Sequence, residues 1–435
     1  MGLVYRPIVG EIKKQMDKGN IVILIGARQV GKTSILKLLM EEIKNNRPTP
    51  RIFYFDLEKE EFLEVFQSYR SLIDWLKLQG ADPQKENYLF IDEFHYISNP
   101  TKIFKIIHDD FPNLKVVATG SSSLEVSSKI KETLTGRKRI FKIYPLTFAE
   151  FLEFKKSSLK DIFFRLAKDP NLKLTEPILS EFMREWEEFL LFGGYPKVAL
   201  TSGREEKARE LEEIYNSYVQ KDIKAFLKIE NVLAFNRLVK ILAVQIANLA
   251  NLSQIGSPLK IARETLERYL FVLENTFIIK TLSPFFTNKT KEITKMGKIF
   301  FYDLGLRNFS IKDFKELELR LDKGALVENA VATELIKSTS IFQDLHFWRT
   351  QAKTEVDFIL LNKGDIIPIE VKYQPFKVPK IPSGLKAFIE NYKPKKAYVL
   401  TKGFTDKINF QHCEVRFLPV FMCFGLSECK LIWKN

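Results

Sequence analysis

Residues Gly26-Ala27-Arg28-Gln29-Val30-Gly31-Lys32-Thr33-Ser34 combine the residue types that hold a nucleoside triphosphate. Their spacing is G-x-x-x-x-G-K-T. Glycines let backbone N–H groups curl around phosphate oxygens without Cβ clashes. Lys32 has the reach for the β and γ phosphates of ATP, and the Thr33 hydroxyl can ligate Mg²⁺. A second acidic signal follows. The apolar run Tyr88-Leu-Phe-Ile ends in Asp92-Glu93. A buried strand of this kind delivers Asp92 to the Mg²⁺ shell, and Glu93 can then orient and polarise the attacking water. Thr119 or Ser121, at the polar end of the run Lys115–Ser123, is a candidate contact to the γ-phosphate or the water. Arg137 follows Gly136 and is the candidate arginine finger, with a solvated basic turn as the alternative.

Further along, Asp357 lies in a strand-like run that ends at the turn Asn362-Lys363-Gly364-Asp365. A second run then carries Glu370-Val371-Lys372. The glycine-containing turn predicts a hairpin, which brings Asp357 beside Glu370. In a strand, alternate residues share a face, so Glu370 and Lys372 point together. An Asp facing Glu-x-Lys is the arrangement of PD-(D/E)XK nucleases. Asp357 and Glu370 would hold Mg²⁺, which prefers hard carboxylate oxygens. Lys372 would position or deprotonate water, and Glu328, on a predicted helix, would complete the site.

These side chains need elements to position them. Ile21–Ile25 predicts a buried strand before the glycine loop. Ile35, Leu36, Leu38 and Leu39 recur at helical spacing after it. Strands are also predicted at 51–57, 88–93 and 115–123. A strand between those bearing the loop and the acidic pair fits the additional-strand class of ATPase. Residues 146–230 carry helical periodicity and read as a lid. In 231–306, Leu252–Gly256 suggests a short helix and turn, Ser257-Pro258 opens a second helix, and 277–285 reads as a strand. Lys289, Lys291, Lys295 and Lys298 cluster before the strand Ile299–Phe301. Helix, turn, helix and a lysine-rich wing suit contact with DNA phosphates; the alternative is a winged helix used for protein contacts.

Together, Gly-Ala-Arg-Gln-Val-Gly-Lys-Thr, Leu-Phe-Ile-Asp-Glu, Ala-Thr-Gly-Ser-Ser, Pro145-Leu-Thr-Phe148, Glu150-Phe151 and Gly193-Gly194-Tyr195-Pro196 resemble the archaeal-type AAA+ ATPases. The resemblance implies an α/β chain: a P-loop AAA+ three-layer core over 1–155, a helical lid over 156–230, a winged helix over 231–308, and a C-terminal α/β restriction-endonuclease-like domain over 309–435. Tyr218-Val-Gln-Lys-Asp222 resembles the family's junction segment, with Lys221 where an arginine is usual. That change keeps the charge and loses bidentate geometry. The implied cofactors are ATP and Mg²⁺. An active nuclease and a nuclease-like fold kept for binding or assembly remain alternatives.

The bulk properties agree with these readings. The 435 residues are 45% hydrophobic and carry a formal charge of +14, which favours a polyanionic partner. Charge alone does not separate DNA from RNA. An arginine finger acting in trans would require a homo-oligomer. Cys413, Cys423 and Cys429 form no C-x-x-C pair, which suits a reducing cytoplasm. His95, His108, His346 and His412 share no ligand spacing and read as ordinary residues. No apolar run approaches the ~20 residues of a membrane span, and no signal peptide opens the sequence, so a soluble cytoplasmic protein is expected.

Overall fold

The structure is a computed structural model that describes residues 2–121, 134, 136–169, 172–218, 232–286 and 296–427. Ser122, Ser123, Lys221, Asp222, Lys289, Lys291, Lys295 and Cys429 lie outside the described residues. The chain divides into two compact units. One is Met1–Tyr144 with Asn275–Phe277, and the other is Pro145–Glu274 with Ile278–Lys430.

In the first unit, helix α1 (Ile8–Asp17) precedes β1 (Ile21–Ile25), all five of whose residues are buried. Then come α2 (Lys32–Asn46), β2 (Arg51–Asp56), α3 (Tyr69–Leu78), β3 (Asn87–Asp92), α4 (Pro100–Asp110), β4 (Leu114–Gly120) and β5 (Lys138–Lys142). Every strand pairing is parallel, in the order β2-β3-β4-β1-β5. β4 therefore separates the loop-bearing strand from the acidic one, as the sequence predicts. The near-continuous apolar runs of β1, β3 and β4 reflect a parallel sheet covered on both faces.

The second unit opens with α5 (Phe148–Phe154), capped by a reciprocal Thr147–Glu150 box. Helices α6 (Leu159–Lys168), α7 (Glu176–Phe192), α8 (Pro196–Leu200) and α9 (Arg204–Ser217) follow, as the periodicity predicts. Next are α10 (Val232–Val244), α11 (Leu252–Gly256) and α12 (Arg263–Asn275), the last running to the unit boundary. The antiparallel pair β6 (Ile279–Leu282) and β7 (Lys298–Phe301) comes after them. Leu249 adds an antiparallel bridge to Lys298. The strand expected over 277–285 is only four residues long. Pro284 has no N–H for the ladder, and the chain there turns to Phe347, whose carbonyl accepts the Phe285 N–H at 2.5 Å.

Helices α13 (Leu304–Ile311) and α14 (Lys323–Ser338) lead to a six-stranded mixed sheet. Its strands are β8 (Gln343–Arg349), β9 (Glu355–Asn362), β10 (Asp365–Lys372), β11 (Lys396–Thr401), β12 (Asp406–Phe410) and β13 (Cys413–Pro419), in the order β12-β13-β11-β10-β9-β8. α15 (Ser383–Tyr392) makes the crossover between the parallel neighbours β10 and β11. A core of Val356, Ile359, Leu385, Phe388, Ile389 and Val399 joins α15 to the sheet.

Candidate functional site

The first unit builds one site at the carboxyl ends of β1 and β3. Gly31 takes φ 93°, a left-handed conformation open to glycine, and α2 starts at the next residue. Gly26 has a different constraint: a Cβ there would lie 2.0 Å from the Ile143 carbonyl oxygen. Close passage of the chain beyond β5 therefore excludes any side chain at Gly26. Lys32 is buried, and its Nζ donates to the carbonyls of Gly26 and Ala27, each at 3.0 Å. The Thr33 hydroxyl donates to Asp92 Oδ2 at 2.6 Å, and Thr119 Oγ1 donates a short bond to Asp92 Oδ1. The same Thr119 oxygen accepts the Glu93 N–H at 2.9 Å. Thr119, fully buried on the neighbouring strand β4, thus ties the two acids together.

Glu93 itself sits at φ 53°, a strained conformation for a side-chain-bearing residue. Burial pushes its carboxyl up. His95, whose Nδ1 is 3.1 Å from Glu93 Oε2, then Lys32 and Arg28, outweigh burial and hold the pKa below the ordinary value. His95 thus stands at the acid pair, a role its spacing in the sequence gives no sign of. Arg137 lies at the opposite end of β1, where its carbonyl accepts the Ile21 N–H, and its guanidinium pairs with Asp109 at 3.0 Å. It is not among the groups gathered at Lys32 and Asp92 within this chain. Gln29, at φ 60°, helps the loop turn, while Arg28, Val30 and Ser34 are loop and first-turn residues.

The second unit gathers the other predicted residues. The β9–β10 register places Ile369 opposite Phe358, so the next pair is Glu370 with Asp357. Asp357 Oδ2 accepts the Val371 N–H at 2.7 Å, and Lys372 Nζ donates to Glu370 Oε1 at 2.6 Å. Glu370 is only 4% exposed, and its Oε2 has no hydrogen-bond partner among the described residues. Burial, then the Asp357 charge, push Glu370 up to about 7. Burial raises Asp357 as well.

Glu328, on α14, offers an oxygen within 4.8 Å of oxygens from Glu355 and Asp357. Glu370 is not in that three-oxygen set, and Glu355 is a member that sequence reasoning missed. Two further cations stand here. Lys298 Nζ is 2.9 Å from Glu328 Oε1 and makes a short bond to Glu355 Oε1. Arg349 holds Glu355 Oε2 at 2.7 Å. Lys298, expected in a basic wing, is instead buried among carboxylates.

Comparison with known proteins bears on these sites. Residues 18–152 match the model of an AAA domain, and residues 183–317 and 323–419 match two domains of unknown function (DUF8612 and DUF4143). An uncharacterized protein of Methanocaldococcus jannaschii is 27% identical over 370 residues, covering 84% of this chain and 77% of that protein. One of Haemophilus influenzae is 25% identical over 391 residues, covering 87% and 88%. Among solved structures, the Walker-type ATPase of Pyrococcus abyssi aligns over 71% of this chain and 96% of that one, with 17% identity and a TM-score of 0.46. The AAA match falls on β1 to β5, the part of the first unit that carries Lys32, Thr33, Asp92 and Glu93, and supports a P-loop, AAA-like ATPase. Among the described residues, no helix is long and apolar enough to cross a membrane.

Proposed function

We propose that the chain hydrolyses ATP at the first site and, at the second, cleaves DNA phosphodiesters with Mg²⁺. The observation that carries the nuclease reading is the meeting, across one hairpin, of Asp357 with Glu370 and Lys372, with one buried Glu370 oxygen unpartnered. A buried carboxylate oxygen without a donor is costly unless a cation completes it, and hard oxygens suit Mg²⁺.

At the P-loop, the backbone of 26–33 and Lys32 would hold the phosphates. Thr33 and Asp92 would hold Mg²⁺, and Glu93 would orient water. At the hairpin, Asp357 and Glu370 would hold Mg²⁺, which supplies charge to neutralise the scissile phosphate. Lys372 orients the attacking water and steadies Glu370. Helices α10 to α12, the β6–β7 pair and the Leu249 bridge support the winged-helix reading of 231–308. With the charge of +14, they support DNA as the partner.

A second reading, a nucleotide-gated binding module, is favoured by how fully protein cations already engage the carboxylates of Glu328 and Glu355. The discriminating experiment is cleavage of labelled single-stranded, duplex and branched DNA with and without Mg²⁺ and ATP, using wild type and Glu370→Ala. Mg²⁺-dependent cleavage that disappears in the variant is expected. No cleavage of any substrate, with ATP-dependent retention of DNA, would replace the nuclease reading by the binding module.

A further inference from the structure

Among the described residues, Lys298 is the one charged residue of the second centre supplied by neither the six-stranded sheet nor α14. It comes from β7, whose sheet partner is β6. Its position is set with care. The Asn329 side chain pairs with both backbone groups of Phe301, donating to the carbonyl and accepting the N–H, each at 2.8 Å. This locks β7 onto α14 one residue from Glu328. Phe300 packs against Phe358 of β9 at 5.9 Å between ring centroids, one residue from Asp357. The Lys298 Nζ also lies 5.5 Å from the centre of the Phe347 ring, an aromatic face that favours a cation. A lysine 3% exposed is rare unless paired, and here the pairing is with two carboxylates at once.

The charge count limits what else the centre can take. Glu328, Glu355, Asp357 and Glu370 face Lys298, Arg349 and Lys372, which leaves one net negative charge when all are ionised. One divalent ion with one phosphodiester would bring the centre to neutrality. A second ion would leave two positive charges in a buried site, where an uncompensated charge is strongly disfavoured. Geometry gives the same answer. The ammonium lies on Glu328 and Glu355, two of the three acids whose oxygens cluster, and the unpartnered oxygen is on Glu370.

We propose that Lys298 is a built-in second cation: its ammonium fills the Glu328–Glu355 arm, so the centre takes a single divalent ion at Asp357 and Glu370. This rests on the reading of those two residues as metal ligands. Lys298 is thus a positioning residue that fixes how many ions bind.

The test is Mn²⁺ titration, read by electron paramagnetic resonance, of the full-length protein without nucleotide. Every sample carries Thr33→Ala to remove the P-loop metal ligand. With Lys298 present, one bound Mn²⁺ is expected, lost in Asp357→Asn. Lys298→Met frees the arm and gains a second Mn²⁺. A Lys298→Met protein that binds one ion with unchanged affinity overturns the proposal. Should that variant not fold, Glu355→Gln decides. It keeps Lys298, and the single ion is expected to bind within about threefold of its original affinity, under a kcal/mol. Loss of the ion there shows that metal, not lysine, occupies the arm. Absence of Mn²⁺ with Lys298 present, or its retention in Asp357→Asn, rejects instead the metal-ligand reading of Asp357 and Glu370.

Discussion

Glu93 can polarise water only while its carboxylate is ionised, and its neighbours keep it so. Burial works against the charge; the His95 contact, at 3.1 Å, is the largest of the effects that offset it, ahead of Lys32 and Arg28. The sign of a His95 substitution follows. Removing a group that lowers the pKa raises it, so the acid limb of kcat/KM for ATP hydrolysis should move to higher pH in His95→Ala. Superimposable limbs would show that His95 does not tune Glu93. The chemistry of the loop was readable because its residues are consecutive and their type is dictated by phosphate. His95 was not, since two residues of separation from Glu93 says nothing about where an imidazole turns after a left-handed residue. The pairing of Lys298 with Glu328, thirty residues apart, has no local signature at all. Glu355 has no local signature either, because only strand geometry sets it two residues from Asp357 on the same face.

The element that organises the second unit is α14. Near its start, Glu328 and Asn329 engage Lys298 and Phe301. Near its end, Glu334 Oε2 accepts the Phe148 N–H at 3.1 Å, and Lys337 donates to the Leu146 carbonyl at 3.1 Å. The Leu146 N–H in turn donates to the Gly194 carbonyl at 2.7 Å, and Asp303 accepts the Gly194 N–H at 2.7 Å. The Pro-Leu-Thr-Phe and Gly-Gly-Tyr-Pro motifs thus meet at α14 and the start of α13. Burial pushes Glu334 up to about 7 from an ordinary 4.5, with Lys337 and the Phe148 N–H partly opposing it. A folded-state pKa above the unfolded one means its stabilising effect is complete below pH 4.5 and lost as pH rises through 7. Glu334→Gln keeps an acceptor for Phe148 and removes the titration. Its stability relative to wild type should therefore improve by about 3 kcal/mol between pH 4.5 and pH 8, read from denaturant unfolding at the two pH values. A constant difference would refute this. The helices over 146–217, α11, α12, α14 and the β9–β10 hairpin were legible from periodicity and turn chemistry. β12 was not, since it is a short, largely exposed edge strand.

At the scale of the whole molecule, the question is whether two sites on one chain work separately or together. The chain leaves the first unit at Tyr144 and touches it again at Asn275–Phe277, where the Phe277 ring lies 6.0 Å from that of Tyr144. β6 and then β7, which carries Lys298, follow from that segment. Within the second unit, Leu146 and Phe148 lie against α14, and so does β7. Coupling needs more than such continuity; it needs the nucleotide to favour one arrangement of these contacts over another. Two substitutions separate the possibilities. Lys32→Ala should reduce ATP hydrolysis by at least a hundredfold, from the loss of its charge at the phosphates. In a coupled molecule it should also make DNA cleavage indifferent to added ATP. Asp357→Ala should abolish cleavage while leaving ATP hydrolysis within about twofold of wild type, because its carboxylate is committed to the second centre. If ATP still changes cleavage in Lys32→Ala, the nucleotide acts elsewhere. If Asp357→Ala also stops ATP hydrolysis, the centres are not separable and the chain works as a single machine.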